Sequence, residues 1–227
     1  MTISALVLYG SCARNENTAN SDVDLFALTS HEDYRMVVQN KSNIALYPVP
    51  LALKMAQEGD LFLLHVVTEG RVLYDSAGDF SNLQASFKFK NTYKKEISNA
   101  SELGWAIIKL GKTVANQTLV NKRIAWCVRT ILIAKAAEER KAIFSASDLT
   151  QYSGDQEASI LIENKESNAI RLSSFREFEK FLSKWSNINL LNFNTFNEYQ
   201  TAFIKSQNIV GYKTLRAFAN DKVFNDY

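Results

Sequence analysis

The residues best suited to chemistry in this sequence are Gly10-Ser11 and, just over ten positions later, the pair Asp22 and Asp24. An apolar run, Ile3 to Tyr9, reads as a buried strand that delivers the chain into the Gly-Ser turn. Glycine lets such a turn approach an anion closely, so that backbone N–H groups face a phosphate. Asp22 and Asp24 bracket the start of a second apolar run, Val23 to Leu28. Strand alternation places both carboxylates on one face, about 7 Å apart. Two hard oxygen ligands at that spacing suit Mg²⁺ (or Mn²⁺), which binds through one or two carboxylates plus the phosphates of its substrate. A phosphate cradle opposite an Asp-x-Asp site is an arrangement for phosphoryl or nucleotidyl transfer. Each half alone is common: Gly-Ser turns abound, and an Asp-x-Asp at a strand start is usually a solvated edge. Their order, with apolar strands on both sides, is the specific signal.

The elements that must position these groups fall into two kinds. After the first two strands, Asn43 to Val49 reads as a third, closed by Pro48 and Pro50. Helices are expected over Leu51 to Gln57 and Leu61 to Glu69, and a last strand over Val72 to Asp75. Beyond about Lys90 the pattern becomes helical. Leu103, Ile107, Leu110 and Val114 share one helix face, and Ile124, Val128, Ile131 and Lys135 another, in a helix through Arg140. Ser145 to Asp148 resembles a capping box. Phe175, Phe178, Leu182 and Trp185 stripe a further helix, as do Phe196, Tyr199, Phe203 and Ile204, with Asn187 to Asn197 as an Asn-rich connector. The expected fold class is therefore α+β. A small mixed-sheet domain occupies residues 1–85 and an all-helical C-terminal domain occupies residues 86–227, the boundary lying within 78–92.

Composition sets the outer limits. Hydrophobic residues at 46% and charged residues at 22% of a 227-residue chain describe a globular protein rather than a disordered one. Only 8 Gly and 2 Pro argue for long regular elements over the many turns of a β-sandwich. Two cysteines, Cys12 and Cys127, cannot form a disulfide framework and fit a reducing compartment. No apolar run reaches the ~18 residues of a membrane span, since Ala125 to Ala134 is broken by Arg129. With no basic leader at the N-terminus, a cytoplasmic protein without membrane partners is expected. The net charge of +2 conceals an asymmetry: residues 1–80 hold 5 Lys/Arg against 10 Asp/Glu, and residues 81–227 hold 21 against 14. An acidic half for cations and a basic half for phosphates, or two solvated faces, both accommodate this split.

The stretch from Gly10 to Leu25 closely resembles the signature of the DNA polymerase β-like nucleotidyltransferase superfamily: apolar strand, Gly-Ser, a loop of about ten residues, Asp-x-Asp. It is most similar to the minimal nucleotidyltransferases, whose loop often reads Gly-Ser-x-Ala-Arg-Gly-x-x-x-x-x-Ser-Asp-x-Asp-Leu. Gly10, Ser11, Ala13, Arg14, Ser21, Asp22, Asp24 and Leu25 match that pattern position by position. The resemblance covers the first third of the chain, and the helical remainder only by general layout. It implies that Gly10 and Ser11 hold the β- and γ-phosphates of a nucleoside triphosphate, with ATP expected, and that Asp22 and Asp24 ligate Mg²⁺ or Mn²⁺ and carry catalysis. Arg14 either grips phosphate through its two-pronged guanidinium or braces the loop by pairing with Glu16 or Asp22. Ser21 belongs to the nucleotide loop and is expected to brace the Asp22 turn. Cys12 is read as packing. Lys109 is assigned to the triphosphate, against the alternative of a solvated helix face shared with Lys112.

Two departures bear on activity. The superfamily usually supplies a third carboxylate from a later strand, yet Asn43 to Tyr47 contains none. Asn43 can offer a metal its amide oxygen, but it cannot take a proton from an attacking hydroxyl. Asp33, Asp60 and Asp75 are conceivable replacements that read more simply as loop or cap residues. The second departure, Asn15 where glycine is common, is minor because Asn tolerates left-handed backbone. The expected function is transfer of a nucleoside monophosphate from a triphosphate to a hydroxyl on a protein, RNA or small molecule. The alternative is a nucleotide-binding partner protein of antitoxin or defence type with weakened catalysis. Helical ribonuclease partners of minimal nucleotidyltransferases carry an Arg–spacer–His motif; here the histidines are His31 and His65, both in the first half. The basic run Lys88, Lys90, Lys94, Lys95, Lys109, Lys112, Lys122, Arg123 and Arg129, with Phe87, Phe89, Tyr93, Trp105 and Trp126 near it, suits RNA less well than it suits a helical core with a charged exterior.

Overall fold

The computed structural model describes residues 2–18, 21–30, 32–169, 172–186 and 191–223. The chain divides into two compact units, residues 1–92 with 140–142, and residues 93–139 with 143–227. The first unit is a mixed five-stranded sheet covered by three helices. Its strands are β1 (Ile3–Tyr9), β2 (Val23–Thr29), β3 (Arg35–Gln39), β4 (Ser42–Pro48) and β5 (Arg71–Asp75), ordered β3-β4-β2-β1-β5. β2 runs parallel to β4, and the other three pairings are antiparallel. The sheet is thus mixed, with the helices α1 (Val49–Gln57), α2 (Leu61–Glu69) and α3 (Asp79–Ser86) between β4 and the second unit's sequence.

Local chemistry fixes these boundaries. Pro48 ends β4, and Pro50 sits in the first turn of α1, where its missing N–H costs nothing. Asp60 caps α2 by accepting from the Phe62 and Leu63 amides at 2.8 and 3.1 Å. Ala5, Val7 and Tyr9 of β1 and Phe26 and Leu28 of β2 pack against Ala52, Ala56, Leu63, Val66, Phe80 and Leu83 of the helices. One face of the sheet thereby becomes the core.

The second unit is helical: α4 (Lys94–Leu110), α5 (Gln117–Glu138), α6 (Ala146–Ser153), α7 (Gln156–Glu163), α8 (Leu172–Trp185), α9 (Phe196–Lys205) and α10 (Ile209–Val223). Leu103, Ile107, Ile124, Val128, Ile131, Phe178, Leu182 and Phe203 form its core. Asn116 caps α5 and Ser145 caps α6. Buried Asn208 accepts from the Gly211 amide and donates to the Asn99 carbonyl at 2.8 Å. Among the described residues no helix is long and apolar enough to cross a membrane.

The structure adds elements the periodicity does not show. β3 is exposed along its whole length, so it lacks the alternation of a half-buried strand. Asn40, at φ +53°, supplies the left-handed turn into β4. α3 is capped from upstream, Asp75 accepting from the Phe80 and Ser81 amides at 3.3 Å each. Residues 86–92, expected with the helical part, pack in the first unit: the Lys88 amide donates to the Ala56 carbonyl at 3.0 Å, and Arg140 reaches the Lys90 carbonyl at 2.7 Å. The helix expected through Arg140 ends at Glu138, since Arg140 adopts φ +62°. Ser145 accepts from the Asp148 amide, while the reciprocal capping box lies elsewhere, between Thr195 and Glu198. Residues 187–190 of the Asn-rich connector lie outside the described residues.

Gly70, between α2 and β5, has no room for a side chain. A Cβ there would lie 2.6 Å from Val7 Cγ1 and 3.1 Å from Phe80 Cζ, and would also press on the Val66 carbonyl. Gly70→Ala is therefore expected to destabilise the first unit by roughly 1–3 kcal/mol, read as a lower urea midpoint for its unfolding.

Candidate phosphate and carboxylate site

Three neighbouring strands place Tyr9, Asp24 and Asn43 side by side. Tyr9 pairs with Asp24 across the antiparallel β1–β2 ladder, and Asp24 with Asn43 across the parallel β2–β4 ladder. All three lie on the face that further along carries Val7, Phe26 and Ala45. Asn43 Nδ2 donates to Asp24 Oδ1 at 3.1 Å. A carboxylate can only accept, so the amide must present its NH₂ and not its oxygen here. The strand position expected to hold a third acid thus carries a neutral donor tied to the second. The phenol of Tyr9 is pushed well above its ordinary value by burial and by the Asp24 carboxylate, and stays protonated.

Gly10 follows at φ +76°, and a Cβ on it would come 3.3 Å from Asp24 Oδ2. Glycine is required twice over, by the left-handed backbone and by this close approach. The chain then coils into a tight turn in which the Ala13 and Arg14 amides donate to the Gly10 carbonyl, and the Glu16 amide to the Ser11 carbonyl at 2.9 Å. Asn15 takes φ +59°, the left-handed geometry that glycine often supplies there. Among the described residues, the Ser11 and Cys12 amides make no hydrogen bond within this turn. The Cys12 thiol donates to the Asp22 carbonyl at 3.3 Å and so ties the two ends of the loop together. Ser21 accepts from the Thr18 amide at 2.9 Å and returns its own amide to the Thr18 carbonyl, bracing the approach to Asp22. Residues 19–20 lie outside the described residues. Asp22 is exposed, one residue before β2, and the Val23 amide is pinned to the Lys41 carbonyl at 2.7 Å.

Helix α2 grips this turn from both sides. Phe62, His65 and Glu69, spaced by three and four, lie along one face of the helix. Phe62 and His65 meet the Tyr9 ring edge-on at 5.6 and 5.5 Å. Glu69 Oε2 bonds both Arg14 Nη1 and, at 2.8 Å, His65 Nε2. Arg14 Nε donates to Glu16 at 2.7 Å. Burial pushes the Glu69 carboxyl upward, but the His65 hydrogen bond and the Arg14 charge hold it below its ordinary value of 4.5. Arg14 thus pairs with Glu16, one of the two partners expected for a bracing role, and with Glu69 in place of Asp22. Glu69 was not singled out in the sequence; the Phe62–His65–Glu69 spacing was the signal available.

The donor set fits a metal that arrives with its substrate. Among the described residues no cluster of three or more His, Cys, Asp or Glu is arranged to hold an ion. Carboxylates such as those of Asp22 and Asp24 are the donor chemistry of Mg²⁺ that keeps phosphate and water ligands, and a Cβ on Gly10 would lie 3.3 Å from Asp24 Oδ2. The other acids have their own work: Asp60 caps α2 and Asp75 caps α3. Asp33 lies in an exposed bend, and His31 outside the described residues. Lys109 belongs to the second unit, where its ammonium donates to Asn192 at 3.4 Å, and Lys112 lies over the Phe175 ring. Tyr93 is fully buried, and Trp105 and Trp126 pack on the helical core.

Residues 1–79 match the family model described as Polymerase beta, Nucleotidyltransferase. No curated protein matches the chain. Among solved structures, the chain is similar to a nucleotidyltransferase-like protein from Exiguobacterium sibiricum 255-15, at 14% identity and a TM-score of 0.36, over 80% of this chain and 69% of that one.

The depressed carboxyl of Glu69 carries a stability signature. An acid with a lowered folded-state pKa stabilises the fold above its ordinary value and loses that contribution as pH falls through the lowered one. Stability measured by urea titration should therefore drop as pH falls below about 4.5, and Glu69→Gln should both lower stability at neutral pH and flatten that acid limb.

Proposed function

We propose that this chain, whose residues 1–79 match the Polymerase beta, Nucleotidyltransferase family model, transfers a nucleoside monophosphate from a triphosphate to an acceptor hydroxyl, releasing pyrophosphate. The observation that carries this reading is the Tyr9–Asp24 pairing, which brings the Gly10–Ser11 turn against the Asp24 carboxylate. The turn amides and Ser11 would hold the β- and γ-phosphates, and Asp22 with Asp24 would hold Mg²⁺ or Mn²⁺. When bound, such an ion neutralises the triphosphate and lowers the pKa of an attacking oxygen. ATP is the proposed triphosphate, and the acceptor is a hydroxyl of a protein, an RNA or a small molecule. Residues 1–80 carry 10 Asp/Glu against 5 Lys/Arg, a balance that does not attract a polyanion by itself, so the turn amides and the ion must overcome it.

Asn43 favours a second reading. With a neutral amide on Asp24, no group at this position can take the acceptor's proton, and general-base help is worth ~10²–10⁴ in rate. A chain that binds the triphosphate and transfers slowly or not at all, acting as an antitoxin- or defence-type partner, is the alternative. Pyrophosphate release from ATP with Mg²⁺ or Mn²⁺, assayed with hydroxyl-bearing protein, RNA and small-molecule acceptors, separates the two. Transfer predicts release that falls at least ~10²-fold in Asp22→Ala and Asp24→Asn, with unfolding temperatures close to that of the parent. Binding of ATP by calorimetry with no release under any acceptor supports the partner reading.

A converse substitution is informative. Asn43→Asp places a second carboxylate about where the amide now meets Asp24 at 3.1 Å. Like charges that close repel unless a cation or proton joins them. The variant is expected to unfold at lower temperature in chelator, to regain more stability than the parent on adding Mn²⁺, and to raise pyrophosphate release by up to ~10²-fold.

A further inference from the structure

The two carboxylates on Arg14 are held very differently. Glu69 is 15% exposed, sits on the last turn of α2, and shares its oxygen between Arg14 and His65. Removing it would leave a partly buried guanidinium short of a partner, so it is the fixed anchor. Glu16 is 45% exposed and lies two residues from Arg14 on the turn itself. It makes a single bond, to Nε at 2.7 Å, and takes nothing from Nη2, the other donor on that edge of the guanidinium. An exposed single-point pair of this kind is weak. A phosphate oxygen pair matches the Nε–Nη2 edge in parallel, where Glu16 uses only half of it. The Glu16 amide is bonded to the Ser11 carbonyl at 2.9 Å, which keeps the backbone of residue 16 within the same turn that is proposed to hold the triphosphate.

Resting on the proposed triphosphate site, we infer that Glu16 is a placeholder ligand on Arg14: Glu16 and a triphosphate compete for the Nε–Nη2 edge, while Glu69, steadied by His65, keeps the guanidinium in position throughout. The brace and the phosphate contact are then successive states of one side chain. Arg14 need not swing to receive substrate, because only the weaker of its two carboxylates leaves. Glu69 is a positioning residue and Glu16 sets affinity.

The test uses the full chain titrated with Mg·ATP and, to remove any contribution from base and sugar, with inorganic tripolyphosphate. Glu16→Gln should bind both probes about two- to five-fold more tightly, the equivalent of the weak pair it removes. Removing one negative charge could tighten an anion by its field alone, so the same substitution is repeated in an Arg14→Met background. There the placeholder has nothing to release, and the gain should vanish, giving a coupling between the two positions. Unchanged or weaker binding in Glu16→Gln, or a gain that persists in the Arg14→Met background, overturns the placeholder. Glu16 is at the surface, so its variant is expected to fold, and circular dichroism checks this for both backgrounds. If the parent chain binds neither probe, the triphosphate reading itself falls; if it binds both and Glu16→Gln is no tighter, only the placeholder falls.

Discussion

One strand register governs the site. Pairing Tyr9 with Asp24 puts the end of β1 and the beginning of β2 at the same edge of the sheet, so the Gly10 turn and the carboxylate must meet. Slipping that ladder by one residue would send Asp24 to the opposite face and bring Val23 or Leu25 to the turn. The buried row of Val7 with Phe26 prevents the slip, because a shifted strand would expose those side chains to water. The hydrophobic core therefore does more than hold the unit together: it sets which atoms face the loop.

The loop is then clamped by Phe62, His65 and Glu69 of α2, none of which is assigned a contact with substrate. Tyr9 is wedged against Phe62 and His65 before the turn, and Arg14 is bound to Glu69 after it. Both contacts come from one helix, whose start is fixed by Asp60. Within the loop, Cys12 joins the two ends by its hydrogen bond to the Asp22 carbonyl, and Thr18 and Ser21 brace the approach to Asp22. What the strands bring together by register, α2 holds at a defined height above the sheet.

Sequence alone shows this site well where its parts are adjacent in the chain. Strand, Gly-Ser turn, loop and Asp-x-Asp are consecutive, and an antiparallel neighbour needs no distant information to fold back. The role of Glu69 depends on a contact 55 residues away, which no local pattern contains. Asn43 is visible as a missing acid, but that its amide binds Asp24 follows only from the parallel pairing of β2 with β4. β3 escapes notice for the opposite reason. Both of its faces are exposed, so burial leaves no alternation to read. In the helical unit, four-three spacing marks the buried stripes of α4, α5 and α8 clearly, while α3 and the Thr195–Glu198 cap rest on short polar contacts that periodicity does not register.

Gly70 links these scales. It follows directly on Glu69 and is packed so tightly against Val7 and Phe80 that the end of α2 cannot move independently of β1 and α3. A change of a single methylene in that packing would be transmitted, within one residue, to the carboxylate that holds Arg14. Sequence drift in this part of the interior is consequently not silent for the loop. A substitution at Val7 or Phe80 therefore acts on the end of α2 that carries Glu69 as well as on the core.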